Sequence, residues 1–204
     1  MASDSSKQLT SVWTPANIIT CVRIVFIPVF MVLAIESHRG ALDYDTTLAF
    51  SAFALYVVLS LTDKVDGYLA RSRNEITDFG KFLDPIADKL LVFSALLILL
   101  QQDNVSVWFV FIILLREFLV SALRMVASAN GVVIAADKLG KWKTATTMVS
   151  LCGYLLSFAL LSLDLDVATS ILLFSQILMV VAVILTVVSG LQYFWNCRDI
   201  IFRV

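Results

Sequence analysis

Six long apolar runs, separated by short polar connections, dominate the pattern along the chain. Each run is long enough to cross a bilayer as a helix, which takes about 20 residues. By hydropathy the runs cover 17–35, 46–71, 84–100, 105–128, 144–161 and 167–195. The pattern therefore predicts an all-α, polytopic membrane protein built as a bundle of six transmembrane helices.

The composition supports this prediction and excludes an ordinary soluble domain. Of the 204 residues, 60% are hydrophobic and 15% are charged, with a mean hydropathy of +0.92. Soluble domains are usually about 45–50% apolar and about 25% charged. We expect one membrane domain over 1–204, in which 1–16 form an N-terminal interfacial segment. The net charge of −1 gives no reason to expect a nucleic-acid partner.

The distribution of basic residues predicts the orientation of the bundle. Of the 15 lysines and arginines, only Arg39 falls in or beside an odd-numbered connection, and those connections are acidic. The positive-inside rule then places both termini and the two even-numbered connections in the cytoplasm. We therefore expect a multi-pass protein of the inner (cytoplasmic) membrane. His38, which stands alone in the first connection, is expected to be solvated.

Four aspartates at the ends of the second and third runs are the strongest candidates for chemistry. Asp63 and Asp66 fall in the last turns of one predicted helix, and Asp84 and Asp88 in the first turns of the next. Each pair shares a helical face, and all four lie within roughly 12 Å of the cytoplasmic helix ends. A short connection makes the two helices antiparallel neighbours, so both pairs converge on one site.

Carboxylates in apolar surroundings are costly unless cations compensate them. Oxygen ligands suit Mg²⁺ or Mn²⁺, and two divalent ions would balance the four charges. Small residues at Gly67 and Ala70, with Gly80 in the connection, would let a large ligand approach the backbone. Arg71 is placed to hold a phosphate. The plainer alternative is a helix–loop–helix with solvated charges, and four aspartates at these spacings argue against it.

The same residues match a long signature, D-x-x-D-G-x-x-A-R-x8-G-x3-D-x3-D, at all of its positions. The matching residues are Asp63, Asp66, Gly67, Ala70, Arg71, Gly80, Asp84 and Asp88. By this motif the chain resembles the CDP-alcohol phosphotransferase family. The resemblance implies a six-helix membrane bundle, usually a homodimer, whose four aspartates bind two divalent ions that hold the pyrophosphate of a CDP-linked lipid. It also implies that Asp88 is the catalytic base on the acceptor hydroxyl, and that CMP leaves.

The resemblance further suggests which residues bind CDP-diacylglycerol. These are Asn17, Thr20, Arg23, Asp66, Gly67, Ala70, Arg71 and Gly80. The first three are three apart in sequence and therefore share one face near the start of the first predicted helix.

A second group of charges points to the acceptor. Arg116 and Glu117 lie deep in the fourth apolar run, where a charge is functional or paired by default. The basic residues proposed to bind an acceptor phosphate are Arg124, Lys141, Lys143 and, with lower priority, Arg116. Two alternatives remain open: an internal Glu117–Arg124 ion pair, and lysines that only set the membrane orientation, which we accept for Lys138.

Shorter motifs narrow the choice of acceptor substrate. They are Asn17 to Arg23, Arg116 to Arg124, Gly140 to Thr144 and Ser189 to Tyr193, and they resemble the phosphatidylglycerophosphate synthase branch of the family. That branch implies sn-glycerol 3-phosphate as the acceptor. An inositol-phosphate acceptor is the alternative within the family. A transporter or channel is the alternative from another class, but its charges would lie at the bilayer midplane, and here nearly all lie near one side.

Overall fold

The computed structural model describes residues 14–40, 43–73, 78–129 and 138–201, except the side chains of 16, 63–73, 78, 81, 82, 84, 128, 129, 197 and 199–201. Its elements are α1 (Pro15–Glu36), β1 (His38–Gly40), β2 (Asp43–Tyr44), α2 (Thr46–Arg73), α3 (Asp78–Gln101), α4 (Val107–Ala129), α5 (Lys138–Leu161) and α6 (Val167–Ile201). Each predicted apolar run is a helix, which confirms the helical fold class.

Three helices extend beyond the apolar runs that predicted them. The start of α3 is Asp78 rather than Asp84, the start of α5 is Lys138 rather than Thr144, and α6 ends at Ile201. Hydropathy detects only the apolar part of a helix, whereas polar turns continue the backbone hydrogen bonds beyond it. Two expectations were therefore wrong: Gly80 lies in α3 and the lysines of 138–143 lie in α5, not in connections.

The first connection is not the simple polar loop that the sequence predicted. Its residues form an antiparallel pair of strands in which His38 lies opposite Tyr44. The two rings meet edge to face at 5.2 Å, and the Tyr44 ring stacks on Phe158 at 4.6 Å. His38 is therefore packed rather than solvated. Burial raises the pKa of the Tyr44 hydroxyl to about 12.

The core lies where α1, α2, α3 and α5 meet. Phe30 and Tyr56 are fully buried at its centre, with ring centroids 5.3 Å apart. The closest helix pair is α5 with α6, which a buried hydrogen bond joins from Ser150 Oγ to the carbonyl oxygen of Ser175 at 2.7 Å. α6 also packs against α4, so α6 connects α4 to α5 in the second half of the chain.

The outer faces of the helices carry large apolar side chains. Val25, Trp108 and Leu191 are each about two-thirds exposed. Among the residues that the structure describes, three segments are long and apolar enough to cross a membrane: Asn17–Glu36, Lys138–Leu161 and Val167–Asn196. A shorter apolar stretch, Thr46–Thr62, lies in α2. These features mark a membrane protein; the number of membrane crossings stays a prediction.

Candidate active site

The aspartate motif lies on two helices that follow each other in the chain. Its first half, 63–71, is in the last third of α2, and its second half, 80–88, is in the first half of α3. The structure describes the side chain of Asp88, whereas those of Asp63, Asp66 and Asp84 lie outside the described side chains, as do those of Ala70 and Arg71. Gly80 is buried in the first turn of α3.

The aspartates lie deeper than the sequence predicted. Because α2 continues to Arg73 and α3 begins at Asp78, Asp63 and Asp88 are each ten residues from a helix end. This corresponds to about 15 Å along the helix axis rather than about 12 Å. The longer helices therefore place the motif further from the connection between α2 and α3.

The Asp88 side chain is half-buried on α3. No group of three metal-binding side chains is present among the residues for which side chains are described. The carboxylate chemistry of the motif nevertheless fits a hard divalent cation.

The predicted polar face of α1 is buried against α2. Thr14 caps α1 by accepting a hydrogen bond from the backbone N–H of Asn17 at 3.3 Å. From this start, Asn17, Thr20 and Arg23 turn inward, and each is at least 96% buried. Arg23 Nε donates to Thr62 Oγ1 at 3.4 Å, which places the guanidinium beside the residue that precedes Asp63.

An apolar groove of about 290 Å³ lies between α1 and α2 next to Arg23. Its lining residues are Ile18, Ile19, Val22, Arg23, Phe26, Leu55, Val58, Leu59 and Thr62. The groove thus begins at the aspartate motif and continues along the apolar part of both helices.

Three charged residues form a buried cluster between α4 and α5, which we call the Glu117 cluster: Arg116, Glu117 and Lys143. Glu117 Oε1 accepts hydrogen bonds from Lys143 Nζ at 2.6 Å and from Arg116 Nη1 at 3.0 Å. Lys143 is 5% exposed, so this predicted phosphate ligand lies inside the bundle rather than at its surface. The alternative of an internal Glu117–Arg124 ion pair does not hold, because the Glu117 carboxylate pairs with Lys143 of α5 and with Arg116.

Arg116 fits against two glycines of neighbouring helices. A Cβ atom added to Gly140 of α5 would lie 3.3 Å from Arg116 Nη2, and one added to Gly190 of α6 would lie 3.1 Å from Arg116 Cγ. Both distances are tighter than most contacts of real Cβ atoms. The glycines therefore make room for the arginine where α4, α5 and α6 meet.

Arg124 and Lys141 are exposed, as an accessible phosphate ligand would be. Arg124 Nε donates to Tyr193 Oη at 3.3 Å, and its guanidinium carbon lies 5.7 Å from the centre of the Tyr193 ring. Lys138 is also exposed, at the first residue of α5. The predicted acceptor residues thus separate into a buried pair, Arg116 and Lys143, and an exposed pair, Arg124 and Lys141.

Sequence reasoning missed two contacts that connect these elements, those of Lys89 and Tyr193. Lys89 follows Asp88 and donates a hydrogen bond to Ser121 Oγ, which links α3 to α4. Ser121 in turn donates to the carbonyl oxygen of Glu117 at 2.7 Å. The signal for Lys89 was a charge inside an apolar run directly after the motif. Tyr193 gave no such signal, since a tyrosine near a helix end is common in membrane proteins.

Similarity to known proteins extends over most of the chain. The family model described as CDP-alcohol phosphatidyltransferase matches residues 13–188. A protein of Bacillus subtilis (strain 168) named CDP-diacylglycerol–glycerol-3-phosphate 3-phosphatidyltransferase is 42% identical over 186 residues, covering 87% of this chain and 92% of that protein. A protein of the same name from Rickettsia typhi is 37% identical over 185 residues, covering 89% and 96%.

A Mycobacterium tuberculosis protein named "Probable phosphatidylglycerophosphate synthase" is 37% identical over 178 residues, which cover 87% of this chain and 78% of that protein. The signature motif and the buried polar face of α1 lie within the residues that the family model matches. The chain therefore belongs to the CDP-alcohol phosphatidyltransferase family of enzymes.

Proposed function

We propose that this enzyme transfers a phosphatidyl group from CDP-diacylglycerol to sn-glycerol 3-phosphate, giving phosphatidylglycerophosphate and CMP. The observation that carries the proposal is the hydrogen-bonded link from Lys89, the residue after Asp88, through Ser121 to Glu117 of the Glu117 cluster. It joins the end of the aspartate motif to a group of cations suited to a phosphorylated acceptor. The names of the relatives from Bacillus subtilis and Rickettsia typhi support the same substrates.

The donor lipid is assigned to α1, α2 and the start of α3. Asn17, Thr20 and Arg23 face the beginning of the motif, where Asp66, Gly67, Ala70, Arg71 and Gly80 complete the proposed CDP-lipid site. The groove beside Arg23 is apolar along both helices. Within a bilayer such a groove takes an acyl chain, so we place one chain of the donor there, with its phosphates at the Arg23 end.

Asp63, Asp66, Asp84 and Asp88 would hold the divalent cations. Members of the family generally use such ions, and a set of carboxylates suits Mg²⁺ or Mn²⁺. We propose two ions per site, since two would balance four negative charges. Bound there, they neutralise charge on the pyrophosphate of the donor.

The chain's own residues then bind, orient and deprotonate the acceptor. Its hydroxyl oxygen attacks the β-phosphorus, the bond from that phosphorus to the CMP oxygen breaks, and CMP leaves with the electron pair. Asp88 accepts the hydroxyl proton as general base. Arg124 and Lys141 at the surface, with Lys143 and Arg116 behind them, attract and hold the acceptor phosphate.

The proposed arrangement in the membrane follows from the charge pattern. Six spans put both termini and the active site at the cytoplasmic face of the inner membrane. At this boundary one site reaches both a lipid donor and a water-soluble acceptor. We take 1–204 as one membrane domain, with 1–16 as its interfacial segment, and propose a homodimer as in the family.

An acceptor screen tests this function. The purified enzyme is supplied with CDP-diacylglycerol, Mg²⁺ and one of glycerol 3-phosphate, inositol phosphate, glycerol or serine, and CMP release is measured. We expect release with glycerol 3-phosphate, and its loss with EDTA and recovery with excess Mg²⁺ or Mn²⁺. Greater release with inositol phosphate would reassign the acceptor, and no release with any alcohol would reject the proposed function.

A further inference from the structure

The Glu117 cluster holds two cations on one carboxylate oxygen. Lys143 Nζ and Arg116 Nη1 both donate to Oε1 of Glu117, at 2.6 Å and 3.0 Å. The side chains of all three residues are more than 80% buried. At such depth an unpaired charge is strongly destabilising, so the cations depend on the carboxylate.

The carboxylate also determines where the two cations lie. Two positive groups at such short range repel each other by several kcal/mol in a partly buried environment. A shared negative oxygen offsets that repulsion and keeps them together. The cluster retains a net charge of +1, which favours an incoming anion.

Hydrogen-bond donors remain available after these contacts. An ammonium group has three N–H donors and a guanidinium has five. Arg116 Nε is buried and has no partner among the described residues. A phosphate presents several acceptor oxygens and can therefore bind both cations without displacing Glu117.

The backbone of two other helices fixes Arg116 in this position. Gly140 borders its Nη2 atom and Gly190 its Cγ atom, so the side chain is confined at both its base and its tip. Lys143 is held by its hydrogen bond to Glu117. Through Ser121 the cluster is connected to Lys89, the residue next to the proposed general base Asp88.

We propose that Glu117 is a positioning residue for the acceptor phosphate: it aligns Lys143 and Arg116, while Gly140 and Gly190 admit the arginine. The inference rests on the proposed function and assigns a role to Glu117 and to the two glycines. Glu117 acts through the cations and does not itself contact the reacting atoms.

A double-mutant cycle tests this role, using Glu117→Gln, Lys143→Met and the double variant. Steady-state kinetics are measured with each substrate varied in turn, and thermal stability is recorded in detergent. We expect Glu117→Gln to raise KM for glycerol 3-phosphate about tenfold or more, since a charge-assisted contact is lost. KM for CDP-diacylglycerol stays within about twofold. Because Glu117 acts through Lys143 and Arg116, the rise in KM for the double variant is smaller than the product of the two single rises.

Glu36→Gln provides the matched control, because it makes the same chemical change at the exposed end of α1. Gly190→Ala is the second probe, since its methyl group displaces Arg116 and leaves the charge of the cluster unchanged. We expect the same selective rise in KM for glycerol 3-phosphate, but a smaller one. If Glu117→Gln does not fold, the effect of Gly190→Ala on KM for glycerol 3-phosphate provides the test of the inference.

Three outcomes overturn the inference: equal changes in both KM values, additive effects in the cycle, or a lower KM for glycerol 3-phosphate. The last would mean that the carboxylate competes with the phosphate. Activity of the unmodified enzyme with glycerol 3-phosphate, measured in the same experiment, tests the proposed function separately from the role of Glu117.

Discussion

Asp88 is the point at which the proposed donor and acceptor sites meet. It is the last aspartate of the motif and lies about 15 Å from the start of α3. The next residue, Lys89, links α3 to Ser121 of α4, which in turn bonds to the Glu117 carbonyl oxygen. A carboxylate in this position can bind a cation and still face a hydroxyl group, which fits the role of general base.

Asp88→Asn is expected to reduce turnover about 10²- to 10⁴-fold, because the amide cannot accept the hydroxyl proton. Binding of CDP-diacylglycerol should be less affected, since three other aspartates and Arg71 remain. The measurements are CMP release and donor binding, with Asp43→Asn at the opposite end of the molecule as the control. Near-normal turnover of Asp88→Asn would reject the assignment of the base.

Single residues also show where sequence reasoning reached its limit. The spacing of Asn17, Thr20 and Arg23 predicted that they share one helical face, and the structure shows that this face is buried. The burial of Lys143 could not be predicted in this way. A lysine in a polar stretch is expected to be solvated, and its partner Glu117 lies 26 positions earlier in the sequence. Contacts between helices of this kind depend on tertiary packing, which no local pattern contains.

Among the elements, helix existence was more predictable than helix ends. The apolar runs predicted all six helices, but polar turns extend α3 and α5 toward their N-termini. The extension of α5 explains why Gly140 and Lys143 lie inside the bundle. The sequence does not indicate which side chain Gly140 and Gly190 approach, and the structure identifies Arg116 as the neighbour of both.

The groove between α1 and α2 leads to a prediction about the lipid. Val58→Trp places a large ring in the groove and is expected to raise KM for a long-chain CDP-diacylglycerol several-fold, because the acyl chain loses its contact surface. A short-chain donor should be affected much less. Val32→Trp is the control, since Val32 is 59% exposed and Val58 54%, but Val32 does not line the groove. Equal effects on both donors would place the acyl chain elsewhere.

At the scale of the whole molecule, charge and polarity separate the two ends of the bundle. The strand pair, the Tyr44 ring and the acidic connections lie at one end, and the aspartate motif and lysines of α5 at the other. The proposed orientation puts the second end in the cytoplasm, where both CMP and a phosphorylated acceptor are handled in water.

Cysteine labelling tests this orientation. In a variant without Cys21, Cys152 and Cys197, single cysteines replace Asp43, Ser106 or Asp166, and an impermeant thiol reagent is applied to intact cells. We expect all three to react, because they lie in the odd-numbered connections. Lys138→Cys, exposed at the start of α5, should react only after the cells are opened. Labelling of Lys138→Cys in intact cells would reverse the topology.

The Glu117 cluster has a consequence for biogenesis. A charged residue near the middle of a transmembrane helix costs about 2.5–3.5 kcal/mol on insertion. In the proposed six-span arrangement, α4 carries both Arg116 and Glu117 near its middle. The groups that accommodate them, Lys143 and the glycines of α5 and α6, are synthesised later. We therefore expect α4 to remain beside the insertion machinery until α5 emerges, so that the two helices enter the lipid together. If translation pauses after α4 and before α5, we expect α4 to lack its partners and to become a substrate for membrane-protein quality control.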